Sequence, residues 1–234
     1  SYTISDCKLV LKEVNMGSGY ENDLMSRMKQ SGVINIDVNS VHNYQSSILA
    51  SDRVANIRVP VNNSRCRSVV ASLTDSTRYS VKDAISASGT YEFSNATGDS
   101  VMRSCRSGLE GLCDQLSEYN WFLNGRLQPS RPVKTSKIAD RQSISAQHIV
   151  EVEKSLASSG FIEPLSFEAY NRNFIIGRTL GIQNNMVYDA RGKDFNLQLN
   201  YNETASPLKN KLVNMFVFHI RRFVIKNESV MVVP

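Results

Sequence analysis

The clearest hydrophobic pattern in the chain lies towards its C-terminal end. Phe195, Leu197, Leu199 and Tyr201 alternate with Asn196, Gln198, Asn200 and Asn202. Strict period two predicts a strand with one dry face and one wet face. Beyond Pro207 and a Lys/Asn turn, Leu212–Ile225 carries apolar residues on both parities: Val213, Met215 and Val217, but also Phe216, Phe218 and Ile220. A strand that is apolar on both sides is covered on both, so another element must pack over it. Val230–Val233 predicts a last short strand after Asn227-Glu228-Ser229. These three strands, separated only by turn residues, are expected to pair antiparallel, because parallel pairing needs a long crossover.

The same reading applies along the rest of the chain. Tyr2–Val14 predicts a strand broken at Asp6-Cys7, and Gly17-Ser18-Gly19 a turn. Tyr20, Leu24 and Met28 recur at helical spacing and Gly32 suits a C-terminal cap, which predicts a short surface helix. Val33–Val41 predicts a strand with Ile34, Ile36 and Val38 on one face; Val54–Val61 and Cys66–Leu73 predict two more. From Thr74 to Ser107 the patterning fades into Ser, Thr, Gly and Asp, as expected of an irregular excursion on the outside of a domain. Leu116–Leu123 restores a strand, and Asn124-Gly125 after it is the strongest hairpin signal in the chain. Pro129 and Pro132 place the returning segment at a sheet edge or in an extended loop. Ser145–Ser159 predicts a second helix, capped by Ser145, striped by Ile149, Val152 and Leu156, and ended by Gly160. Phe174–Leu180 predicts a strand whose Gly177 marks a bulge or a close approach. About nine strands with two short helices in the connections argue for an all-β sandwich or barrel of Greek-key type, in one domain spanning 1–234.

Composition narrows the class. Of 234 residues, 41% are hydrophobic and 21% charged, the balance of a folded protein. Asn and Ser make up roughly a fifth of the chain, an excess that suits turns and wet strand faces. The net charge of +5 is spread along the sequence with no basic arm. Such a charge permits non-specific contact with nucleic acid without demonstrating it. No apolar run approaches a membrane span.

Candidate chemistry is sparse. Cys7, Cys66, Cys105 and Cys113 show no zinc spacing, and His42, His148 and His219 are far apart in sequence, so neither a metal nor a cofactor is expected. His148 is expected to face water beside the helix stripe, and His219 to be a hydrogen-bonded structural residue. Arg221 and Arg222 send one guanidinium to each face of their strand, and at least one needs a carboxylate or carbonyl partner, within the chain or on a neighbouring subunit. Asp189 and Asp194 flanking Arg191 read as a local turn network. Trp121 with Tyr119 reads first as core and second as a sugar- or base-stacking platform. The residues singled out for structure or interfaces are therefore Trp121, Asn124, Gly125, Arg221 and Arg222, with no catalytic set.

Several words in order carry a family resemblance. They are Tyr2-Thr-Ile-Ser-Asp with Leu9–Val14; Tyr119-Asn-Trp-Phe-Leu-Asn-Gly-Arg-Leu-Gln-Pro129; Phe174-Ile-Ile-Gly-Arg; Tyr188-Asp-Ala-Arg-Gly-Lys-Asp-Phe-Asn-Leu; and Phe216–Val230. Together they resemble the C-terminal jelly roll of double jelly-roll major capsid proteins, of the polinton, adintovirus and virophage-like group of icosahedral DNA viruses. The resemblance implies a jelly-roll sandwich that belongs to a longer double jelly-roll chain. It also implies a non-enzymatic virion subunit that trimerises into pseudo-hexagonal capsomers alongside other capsid proteins. A single jelly-roll penton or minor capsid protein, and a carbohydrate- or receptor-binding jelly roll, are the alternatives.

Overall fold

The computed structural model describes residues 8, 16–75, 116–137, 140–160, 174–181, 187–201, 210–226 and 229–233, the side chains of 75, 136, 137 and 140–144 excepted. The expected strand over Tyr2–Val14 and the excursion from residue 76 onward lie outside the described residues, as do Cys7, Cys105 and Cys113.

In chain order the elements are α1 (Ser18–Ser31), β1 (Ile34–Ile48), β2 (Val54–Arg58), β3 (Cys66–Asp75), β4 (Leu116–Leu123), β5 (Arg126–Lys134), β6 (Ser136–Lys137), β7 (Asp140–Ile144), α2 (Ala146–Ser159), β8 (Ile175–Thr179), β9 (Phe195–Tyr201), β10 (Lys211–Lys226) and β11 (Ser229–Val233). They fall into two compact units. The larger takes in Val38–Arg221, and the smaller combines the described residues up to Asp37 with Arg222–Val233.

The larger unit is one long hairpin rolled up on itself. β4 pairs antiparallel with β5, β3 with β8 and β2 with β9, and β1 neighbours β10. Each pair nests inside the next around the turn at Asn124-Gly125. Rolling this ribbon brings β10 against β3 and β9 against β4, which gives one sheet in the order β1-β10-β3-β8 and another in the order β2-β9-β4-β5. This is a jelly roll, and it is the all-β antiparallel sandwich that the strand inventory predicts. The expected pairing of β9 with β10 does not occur, because the two strands lie in different sheets. The reason is burial: β10 is dry on both faces and takes a central position, whereas β9 has a wet face and lies in the sheet that exposes one.

The core fills the space between the sheets. Leu197, Leu199, Tyr119, Trp121 and Ile57 from one sheet meet Val69, Leu73, Val213, Met215 and Val217 from the other, all essentially inaccessible to water. Trp121 packs against Phe195 with ring centroids 5.4 Å apart. The second apolar parity of β10 is also accounted for. Phe216 and Phe218, with Val70 and Ile175, lie beneath Ile149, Val152 and Leu156 of α2, so this helix is the element that covers the strand.

Both helices keep their expected ends. Ser145 accepts a hydrogen bond from the His148 amide, and Gly160 and Gly32 close α2 and α1 with positive φ. α1 starts at Ser18, inside the expected turn, and buries no residue. Strand β1 runs on to Ile48, beyond the expected Val41. Its inward residues are His42, Tyr44 and Ile48, while Ile36 and Val38 are exposed. The Asn, Gln and Ser residues between them mask this alternation in the sequence.

In the smaller unit β11 pairs antiparallel with the last part of β10, from Arg222↔Val233 to Lys226↔Ser229. Val230, Met231, Val232 and Val233 are all exposed there, so neither face of this short strand is covered.

Candidate functional site: the turns and outer faces of the sandwich

Three short connections meet at one end of the jelly roll. Cys66 and Tyr188 exchange backbone hydrogen bonds of 2.9 and 2.7 Å, tying the β2–β3 connection to the one before β9. The Asn124 amide donates to the Asp194 carbonyl at 2.7 Å, and the Val59 amide to the Phe195 carbonyl at 2.8 Å. Asn124 (φ 52°) and Gly125 (φ 74°) both occupy the left-handed region that a two-residue hairpin turn demands. Asp189 accepts three hydrogen bonds from Arg191, from its backbone amide, Nε and Nη2, at 3.1, 3.0 and 2.9 Å. The adjacent guanidinium and amide hold the Asp189 carboxyl down to about 2. The expected turn network is therefore Asp189 with Arg191, whereas Asp194 lies 3.5 Å from Arg58. Lys193 places its ammonium 4.6 Å from the centre of the Tyr188 ring.

The outer face of the β2-β9-β4-β5 sheet is set by strand register. On this side neighbouring residues form three rows, Arg58–Asn196–Phe122–Leu127, Asn56–Gln198–Asn120, and Val54–Asn200–Glu118–Lys134, of which Asn120 is itself buried. The middle row consists of side-chain amides alone, and in the third Asn200 donates to Glu118 at 3.0 Å. Such a face offers donors and acceptors with little net charge.

Of the residues singled out from the sequence, Trp121 is fully buried, and Tyr119 beside it likewise. Neither can serve as a stacking platform; they are core. Arg222 forms a fork with Asp37 at 2.8 and 3.0 Å, so its carboxylate partner is in the chain. Arg221 finds an unexpected partner, donating to His42 Nε2 at 3.0 Å. His148 does not face water. It is buried, its Nδ1 lies 3.1 Å from the Tyr119 hydroxyl, and its ring stacks on Phe174 at 4.9 Å. The helix stripe is wider than the sequence pattern implies, because α2 also reaches Tyr119 of β4. Burial lowers the His148 imidazole to about 3. Close by, Glu151 and Arg178 form a largely buried ion pair between α2 and β8. Among the described residues no group of three potential metal ligands converges, and no helix is long and apolar enough to cross a membrane.

No protein-family model matches the chain, and no curated protein matches it in sequence. Solved structures do match its fold. The chain is similar to VP54 of PBCV-1, from the crystal structure fitted into a cryo-EM reconstruction of the virophage Sputnik. The TM-score is 0.53 at 14% identity over 91% of this chain and 54% of that one. A quasi-atomic model of the PBCV-1 virus capsid matches with a TM-score of 0.52 and 13% identity, over the same shares of the two chains. The chain thus shares a fold with these proteins and spans about half their length.

Proposed function

We propose that the chain is a structural virion protein, one jelly roll of a major capsid protein. Three copies of the parent polypeptide build a pseudo-hexagonal capsomer, and capsomers build an icosahedral shell around a DNA genome. The observation that carries this reading is the likeness of 91% of the chain to the fold of a viral capsid protein. The neighbour is about twice as long, which supports a second jelly roll in the parent chain. In this reading the partners are copies of itself and other capsid proteins, the location is the virion, and the role is mechanical rather than catalytic. Function in such a subunit is shape and surface complementarity.

The geometry suits that role. The side-chain amides of Asn56 and Gln198, with Asn196 and Asn200 beside them on β9, give the middle of this face hydrogen-bonding groups without charge, on which another jelly roll can seat. The net charge of +5 leaves non-specific contact with the genome open to the assembled shell.

Electron microscopy of the native material tests the reading. Three-fold capsomers holding this jelly roll beside a second one are expected. Density confined to five-fold vertices would make it a penton subunit instead, and a strictly monomeric parent protein absent from any particle would overturn the proposal.

A further inference from the structure

The inner faces of β1 and β10 change character at the same end. Along β10, Val213, Met215 and Val217 line the core and His219 and Arg221 follow; along β1, Ile48 and Tyr44 give way to His42. The rings of His42 and His219 lie 4.6 Å apart, centre to centre. An imidazole pair therefore bridges the first and last strands of the rolled hairpin.

Hydrogen bonding assigns the protons. A guanidinium only donates, so His42 Nε2, 3.0 Å from Arg221 Nη2, carries a lone pair. Its Nδ1 then holds the proton and lies 3.3 Å from Asn63 Nδ2, itself a donor, so in this amide orientation the two do not hydrogen-bond. His219 Nδ1 lies 3.4 Å from the Val217 carbonyl, to which it donates, and its Nε2 is buried with no partner among the described residues. Each ring keeps a nitrogen lone pair, and among the described residues neither is bonded to a carboxylate.

The titratable and charged groups around the pair come from three elements. From β1 the neighbour is Tyr44, edge-on to His42 at 6.3 Å. From β3 it is Cys66, opposite His219 in register, with the carbonyl of Arg65 accepting the Ile220 amide. From the connection before β9 come Tyr188, paired with Cys66, and Asp189, which is engaged by Arg191. Burial pushes the Cys66 thiol up to about 12 and raises both tyrosines, so all three stay neutral. Asp189 stays ionised down to about 2. Burial lowers His219 below its ordinary value, against the opposing effect of its hydrogen bond to the Val217 carbonyl.

We propose that His42, His219 and Arg221 form an acid-responsive latch between β1 and β10. Above the ordinary imidazole range the neutral rings tie the strands together. A proton on His42 Nε2 replaces the lone pair that Arg221 needs and sets cation against cation. A proton on His219 puts a charge in the core with no acceptor. The native state resists the proton on His219, so the stabilisation it gives is complete above pH ~6.5 and is lost as pH falls through the depressed native value. β1 is an edge strand whose sheet neighbour is β10, so it can loosen while β10 stays paired with β3. The latch belongs to the fold and does not depend on the capsid reading.

Hydrogen–deuterium exchange of the whole chain at pH 7.5 and pH 5, corrected for intrinsic rates, tests it. Wild-type amides of Val38–Ile48 should lose about tenfold protection relative to β4 and β9, the effect of one proton taken up over one pH unit. The double variant His42→Gln/His219→Gln should lose this pH dependence. Equal loss in wild type and variant, or pH-independent protection of β1, would overturn the latch. If the double variant does not fold, NMR titration of the wild type decides. Movement of β1 amide shifts with the His219 midpoint supports the latch, and titration of both imidazoles with still β1 amides overturns it.

Discussion

Gly177 of β8 lies directly beneath Ser155 of α2. A Cβ on Gly177 would sit 2.9 Å from the Ser155 Cβ and 3.1 Å from the Val152 Cα. This glycine lets the helix settle onto the sheet, and its role is clearance rather than backbone freedom. Gly177→Ala is expected to cost about 1–3 kcal/mol by overpacking. A double variant with Ser155→Gly should be less unstable than the two single effects predict, because the smaller helix residue relieves the clash. Denaturant midpoints for the single and double variants check both statements. A fully additive pair would show that the contact is slack.

His148 makes α2 sensitive to acid. Its native value, about 3, is depressed from the ordinary 6.5 by burial. The unfolded chain therefore binds the proton more readily across that window. Stability contributed by the neutral ring is complete above pH ~6.5 and declines as pH falls towards 3, by about 1.4 kcal/mol per unit. His148→Gln should flatten this part of the stability–pH curve, although it also loses the stack on Phe174. Tyr119→Phe, which leaves the imidazole without its hydroxyl partner, should cost about 1–3 kcal/mol at neutral pH.

Trp121, the one tryptophan of the chain, is a reporter of the core. Its emission should be that of an apolar environment and resist iodide quenching until the protein unfolds. Trp121→Ala is expected to cost about 3–5 kcal/mol, as for other buried large aromatics. Ready quenching in the native state would contradict its placement between the sheets.

The hairpin turn gives an asymmetric pair of substitutions. Gly125→Val places a β-branched residue at φ 74° and should cost about 1–2 kcal/mol, whereas Asn124→Gly at φ 52° should be nearly silent. Thermal melts of the two variants check the difference.

On the outer amide face, a charge should separate folding from assembly. Gln198→Arg lies on a wet strand face, so thermal stability should change by less than about 0.5 kcal/mol. In the proposed capsomer the same charge would be buried against a neighbouring jelly roll, and the trimer seen in sedimentation should be lost. An unchanged trimer would remove this face from the interface.

Much of the fold was legible because its signals are local. The alternation in Phe195–Tyr201, the Asn124-Gly125 turn, the Ser145 and Gly160 caps and the apolar stripe of α2 each depend on neighbours a few residues away. Even the presence of a covering element over β10 followed from its two apolar parities. The antiparallel β6–β7 pair carries no apolar alternation and so leaves no local signal. The inward face of β1 is not legible in its pattern, because its apolar residues Ile36 and Val38 are exposed and its inward set begins with His42.

The sequence alone therefore determined the all-β class, most strand positions, both helix ends and the hairpin tip, since propensity, periodicity and turn chemistry act over short range. Tertiary structure alone decided which strands pair. It sent β9 and β10 to different sheets, buried His148 against Tyr119, and set His42 beside His219 and Arg221. Those outcomes depend on rolling one ribbon into two sheets, which joins residues as far apart as 42 and 221. No local pattern encodes the meeting of side chains so distant along the chain.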